Sequence, residues 1–313
     1  MTVKAWSALV PHEIENSSLP LVHIDVTVAN SAAHPKQLAV ALSWQDVIAR
    51  NIFDADTEQL DRFYPPDKGP FTCANDVNDL MNDMYDGGAN CTLNGKTRCR
   101  DMSRVATHAS PLTVGADLRG VEQHTAGRAA LPINKLTMQQ YNNRVALMVQ
   151  AEGAADTVTT LGSFDPDSSG DAAKAWRSFG RSGEFPASGS VAPNAALYDP
   201  AEQTEMASAV ALKTTVSAHS SRTIRFVVAW WQPEIDGHGG RADNRTYCGT
   251  TDVNRMYHNR FGGADGLERL LRYATAPQVS AELEADSVAW QQPVLASTMP
   301  RFLQFKTINS AYT

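Results

Sequence analysis

Apolar and polar residues alternate along several short stretches of this chain, and that rhythm leaves few folds open. Leu21–Ala29 reads LVHIDVTVA and Gln37–Trp44 reads QLAVALSW. A period of two sets one side-chain face against a core and the other away from it, which a helix of 3.6 residues per turn cannot do. Strands of the same kind are expected at Arg144–Gln150, Thr157–Phe164, Ala207–Thr215 and Arg222–Trp230. Turn residues ANSAAHPK separate the first two, so these read as a hairpin. Short strands punctuated by turns predict an all-β fold: a large antiparallel β-sandwich with long loops and a C-terminal helical linker.

The rest of the chain breaks that rhythm in two ways. Asn51–Asn142 is polar, rich in Asp, Asn and Gly, and reads as long loops with one short helix near Val77–Met84. A connection of that length is functional or mobile. From Tyr257 the spacing turns helical, with Leu267, Leu270, Leu271 and Tyr273 three or four apart or adjacent. A helix follows in which Val279, Leu283, Val288 and Trp290 fall near one face, until Pro293 and Pro300 interrupt it. A second apolar rhythm then runs through Phe302, Leu303, Phe305 and Ile308. An apolar face half assembled needs a partner surface. The expected division is a β-sandwich domain over 1–276 and a helical linker over 277–313. The chain itself is expected to be the front part of a longer protein.

Composition excludes some partners. Hydrophobic content of 42% and charged content of 19% belong to an ordinary globular protein. A net charge of −7 argues against nucleic acid and anionic membranes as partners, since phosphate-rich surfaces attract a basic excess. The longest apolar runs, such as Phe226–Trp231, are strand-length, so no transmembrane segment is expected. The N-terminus lacks the apolar core of a signal peptide, which favours a cytoplasmic over a secreted protein. Cys91 and Cys99 flank TLNGKTR, a hairpin with Asn94-Gly95 at its turn, and a two-residue turn would put their sulfurs on opposite faces. Asn16, Asn90 and Asn244 each open an N-x-S/T triplet, relevant only to a secreted protein.

The chemical motifs fail on inspection. Asp165–Asp171 (DPDSSGD) has the oxygen spacing of the front of a calcium loop, but Trp176 stands where the closing bidentate Glu belongs. Gly237–Ala242 matches a dinucleotide fingerprint after a strand, yet DNRTYCGTTD follows instead of the helix that would receive a pyrophosphate. The histidines form no H-x-H or H-E-x-x-H cluster, no cysteine pair has zinc spacing, and no G-x-S-x-G elbow occurs. No catalytic, cofactor-binding or metal-ligating residue is therefore assigned, and no cofactor is expected. Six tryptophans remain: Trp6, Trp44, Trp176, Trp230, Trp231 and Trp290. Trp44 and Trp230 end apolar strands, so core or interdomain packing is the preferred reading for them.

The order of several motifs resembles the N-terminal domain of glycoside hydrolase family 116, the non-lysosomal glucosylceramidase and bacterial β-glucosidase family. PHEIENSSLPLVHIDVTVAN followed by QLAVALSWQDVIAR is similar to that domain's opening strands. In the same order follow Trp176-Arg-Ser-Phe179 with Gly183-Glu-Phe185, then Phe226-Val-Val-Ala-Trp230 with Pro233, then Tyr257-His-Asn-Arg-Phe261, and finally Trp290-Gln-Gln-Pro-Val-Leu295 with Met299-Pro300. Asn51–Asn142 does not match. The resemblance implies a parent enzyme that cleaves β-glucosides, as a retaining β-glucosidase or glucosylceramidase-like hydrolase, through a covalent glycosyl-enzyme intermediate. It also implies an α/α-barrel catalytic domain beyond Thr313 that carries the nucleophile and the acid/base. No catalytic residue of the family therefore falls on this chain, which alone is expected to be inactive. Its expected partners are its own barrel and the β-glucoside or glycolipid substrate of the parent enzyme, with a role in bracing the barrel and shaping the site rim. The alternative is a free-standing carbohydrate-binding β-sandwich module. Exposed tryptophans in a planar row would favour sugar binding; buried ones would favour the scaffold.

Overall fold

The computed structural model describes residues 1–45, 107–125, 132–133, 136–137, 143–166, 170–186, 195–199, 204–232, 234–235 and 253–310. In chain order the strands are β1 (Thr2–Trp6), β2 (Leu21–Asn30), β3 (Lys36–Gln45), β4 (Thr107–Val114), β5 (Leu118–Thr125), β6 (Pro132–Ile133), β7 (Leu136–Thr137), β8 (Arg144–Gln150), β9 (Thr157–Phe164), β10 (Ala195–Asp199), β11 (Thr204–Glu205), β12 (Ala207–Val216), β13 (Ser220–Trp231), β14 (Glu234–Ile235) and β15 (Val253–Asn254). The helices are α1 (Ile14–Ser17), α2 (Asp171–Ser182), α3 (Met256–Phe261), α4 (Gly266–Thr275), α5 (Pro277–Leu295) and α6 (Arg301–Ser310). One antiparallel sheet has the order β1-β2-β13-β8-β5-β4-β10-β11, and a smaller one the order β3-β12-β9. The chain is thus an all-β sandwich with a C-terminal helical part. No helix among the described residues is long and apolar enough to cross a membrane.

The two sheets face each other across one apolar layer. Val26, Val121, Leu147, Phe226 and Val228 of the large sheet meet Val210 and Leu212 of the small one, with Leu38 and Val40 against them. Both outer faces are also covered. Leu118, Met148, Val227 and Trp231 on the far side of the large sheet pack under Leu267, Leu270, Leu271 and Leu283 of α4 and α5. Ala209 and Ala211 on the far side of the small sheet pack under α2 through Ala172, Ala175, Trp176 and Phe179. β13 is a near-continuous apolar run because it is buried on both faces, the condition that removes alternation from a strand.

Two sequence expectations give way here. β2 and β3 do not form a hairpin: β2 pairs with β1 and β13, while β3 runs along β12 in the other sheet. The intervening turn changes sheets, held by Asn30, whose amide nitrogen donates to the carbonyls of His34, Val216 and Ser217. Part of the stretch expected as loop is the hairpin β4–β5, which turns at Gly115 in the left-handed region (φ 69°). Pro111 lies within β4, where a proline cannot donate to a ladder. It is tolerated because β10 pairs only with the start of β4, so among the described residues no strand pairs with the other edge at Pro111. Asp171, in the stretch with the oxygen spacing of a calcium loop's front, is the first residue of α2, and Trp176 lies within that helix; residues 167–169 lie outside the described residues. The expected Cys91/Cys99 hairpin, the helix near 77–84, the Gly237–Ala242 motif and Pro233 also lie outside them.

Candidate functional site

One end of the sandwich gathers the polar chemistry. Register places Trp230 opposite Val145, Val145 opposite Gln123, His124 opposite Arg144, and Ser208 opposite Trp44. The connections that follow Gln45, Thr125 and Trp231 therefore all leave from this end, where the segment between β1 and β2 also lies. Buried Gln123 ties the sheets together. Its amide nitrogen donates to Ser208 Oγ at 2.7 Å and to the Trp44 carbonyl at 3.1 Å. On the helix-covered face, Arg144 grips Glu268 of α4 through two N–H groups at 2.6 and 3.2 Å and donates from Nε to Glu122 at 2.7 Å. Burial alone would lower the Arg144 guanidinium; Glu268 and Glu122 outweigh it and keep the cation. His108 and His124 stack beside them with centroids 6.2 Å apart, and His108 is lowered by burial and then by its neighbour's charge. Among the described residues, no group of three or more His, Cys, Asp or Glu side chains is arranged to hold a metal.

The same end carries a groove of about 490 Å³ between Trp230 and the segment Ser7–Leu21. Trp230 is 38% exposed and Ile14, across the groove, 65%. Of the core or interdomain packing expected for Trp44 and Trp230, the core half is corrected: Trp44 is also 40% exposed, and among the described residues Trp231 is the tryptophan of the core. Ile224, Phe226 and Val228, which share the inward face of β13 with Trp230, are all buried between the sheets. Trp230 stands one step beyond that layer. Glu13 is the one carboxylate among the described residues that line the groove, and hydrolysis of a glycoside by retention or inversion takes two. Asn16 of α1 bridges to the helices, accepting from Tyr273 Oη at 3.1 Å and from Arg260 at 3.2 Å.

A second surface lies on the C-terminal helices. α5 starts with Pro277, whose missing N–H costs nothing at a first helical turn. Its docked face is Ser280, Leu283 and Ser287 rather than the more apolar stripe expected from sequence. The serines meet polar groups beneath them: Ser280 Oγ accepts from Arg225 of β13 at 2.6 Å, and Ser287 Oγ accepts from the N–H of Leu9, in the β1–β2 connection, at 3.0 Å. Lys4 reaches Glu284 at 2.5 Å. Farther along, Val288, Leu295, Phe302, Leu303 and Phe305 are exposed, and α5 runs through Pro293 to end at Leu295.

The model of a known family, described as "beta-glucosidase 2, glycosyl-hydrolase family 116 N-term", matches residues 1–279. The chain belongs to glycosyl-hydrolase family 116. The match spans both sheets, α2 to α4 and the first residues of α5, so the family 116 N-terminal domain takes in the whole sandwich, the groove and the loop end. No curated protein matches the chain.

Proposed function

We propose that this chain serves as the non-catalytic N-terminal domain of a retaining β-glucosidase or glucosylceramidase-like hydrolase, bracing an α/α-barrel catalytic domain and shaping the rim of its site. The observation that supports this is the contrast along α5. Its first three turns are clamped to the large sheet by Leu283 and the serine contacts, while its last turns and α6 present apolar side chains outward, Phe302 at 69% exposure. A helix anchored at one end and apolar at the other is a rigid mount for a second folded body. The loop end supplies long connections of the kind that build site rims. Chemistry belongs to the barrel, whose two carboxylates would attack and protonate the glycosidic bond. The test has two arms. The isolated chain should show no turnover of aryl β-glucosides that survives repurification. A family 116 barrel supplied in trans should bind it, and Phe302→Asp with Phe305→Asp should abolish that binding. Turnover by the chain alone, or binding indifferent to both substitutions, would overturn the reading.

A further inference from the structure

We propose that the outer face of α2 is a binding site for the phosphoryl group of a small ligand, held by the guanidinium groups of Arg177 and Arg181. The site lies over the small sheet, on the opposite side of the sandwich from α5, and owes nothing to the bracing role.

α2 has two faces. Ala172, Ala175, Trp176 and Phe179 pack on the small sheet, and Phe185 closes on Trp176 edge-on. The helical period turns Lys174, Arg177 and Arg181 to the other side, where all three are exposed. Arg177 and Arg181 stand one turn apart, so their heads can reach one ligand. With Lys174, Ser178 and Ser182 they line a groove of about 350 Å³, a volume within the range of small-ligand sites.

Charge selects the ligand. Among the described residues the groove's lining holds three basic side chains and no carboxylate, in a chain whose net charge is −7. Neither arginine pairs with a carboxylate among the described residues. Arg177 donates from Nε to the Ala173 carbonyl of its own helix at 2.9 Å, which steadies the side chain and leaves its terminal N–H groups for a ligand. By contrast, Arg144, Arg222 and Arg225 are each closed by a carboxylate. The acid that follows α2, Glu184, is taken by Lys213 at 2.8 Å. Two planar forks one turn apart suit the several oxygens of a phosphate dianion, and Ser178 adds a hydroxyl. Extent argues for a small ligand. The basic stripe from Lys174 to Arg181 runs roughly 10 Å along the helix axis. Nucleic acid and anionic membranes present charge over far longer surfaces, which an acidic chain repels.

The experiment titrates the purified 313-residue protein with inorganic phosphate and with glycerol phosphate, read by phosphorus NMR and isothermal calorimetry, with octaglutamate as the acidic-peptide control. The expected result is saturable binding in the millimolar range or tighter. A tighter ester identifies a phosphate ester as the ligand; equal affinities identify phosphate itself. Arg177→Gln and Arg181→Gln should each weaken binding about tenfold, as for loss of a charge-assisted hydrogen bond. Arg177→Lys, which keeps the charge and loses the fork, should recover only part of that loss. Arg272→Gln removes an exposed cation on α4 and should leave binding unchanged. Both α2 arginines lie away from the packed face, so these variants should melt where the wild type does. Absence of saturable binding overturns the proposal. So does binding that survives both glutamine substitutions, or a loss that Arg272→Gln reproduces. Octaglutamate binding more tightly than either phosphate would also overturn it, in favour of a docking face for an acidic protein segment.

Discussion

His23 shows how a single residue ties acid sensitivity to this fold. It has no accessible surface, stacks on Trp6 with centroids 4.2 Å apart, and neither ring nitrogen has a hydrogen-bond partner. Burial first, and the nearby Arg225 charge second, push its pKa down to about 4 from 6.5. The folded state therefore holds His23 neutral at pH values where the unfolded chain binds a proton. Stability should fall as pH drops from about 6.5 to about 4, by on the order of 3 kcal/mol from this group, and level off below. Asp25 acts in a lower window. Burial would raise its carboxyl, but hydrogen bonds and charge from Arg225, with a bond from Trp6, hold it below its usual value, so its contribution is lost only as pH falls through the carboxylate range. Urea unfolding of the wild type and of His23→Phe across pH 4–7 separates the two. The Phe variant keeps the stack on Trp6 and should lose most of the slope above pH 4; an unchanged slope would exonerate His23. The adjacent tryptophans give a second contrast at this scale. Trp231→Ala should cost about 3–5 kcal/mol, as for a large buried ring, and Trp230→Ala only about 1 kcal/mol because its ring is already partly in water.

At the scale of elements, α5 divides into an anchored half and a free half. Leu283 is buried among Trp231, Leu267 and Leu271 in the layer beneath, so Leu283→Ala should destabilise by about 2–4 kcal/mol in chemical denaturation. Ser287→Ala leaves the Leu9 N–H without its partner and should cost about 1–2 kcal/mol. Beyond Trp290 the helix has few such contacts. Amide exchange there should be fast, and removing the residues after Pro293 should leave the melting temperature of the sandwich where it was. A clear fall in melting temperature would show instead that α6 is part of the sandwich fold. Upstream, Gly266 opens α4 with the Trp231 ring and the Phe261 carbonyl so close that a Cβ would collide with both. Gly266→Ala should therefore be destabilising by about 1–3 kcal/mol, an overpacking effect visible in the same unfolding assay.

For the whole molecule, four layers stack in order: α2, the small sheet, the large sheet, then α3 to α5. Every long connection that the described strands leave open starts from one end of this stack, and the exposed apolar helices extend from its C-terminal side. Val288, Leu295, Phe302 and Phe305 in water should drive concentration-dependent self-association. Sedimentation velocity over a tenfold concentration series should show it, and Phe302→Asp with Phe305→Asp should remove it; a concentration-independent monomer would count against the tail as an interaction surface.

Alternation in Leu21–Ala29 and Gln37–Trp44, and the helical spacing of Leu267, Leu270 and Leu271, were legible because each records a local period that the backbone imposes. So was the family, since ordered motifs survive without knowing which strand pairs with which. The tertiary structure alone decided that β2 and β3 lie in different sheets, because pairing depends on Asn30 gripping carbonyls 186 and 187 residues away. It alone admitted Pro111 to a strand, on an edge that no other described strand pairs. It also chose between Trp230 and Trp231. Adjacent tryptophans on one strand look alike in sequence, and which is buried depends on how far the inter-sheet layer extends and on where α4 lays its leucines. The groove at Trp230 had no sequence signal for the same reason: its walls are segments some two hundred residues apart, brought together only by β13 pairing with β2.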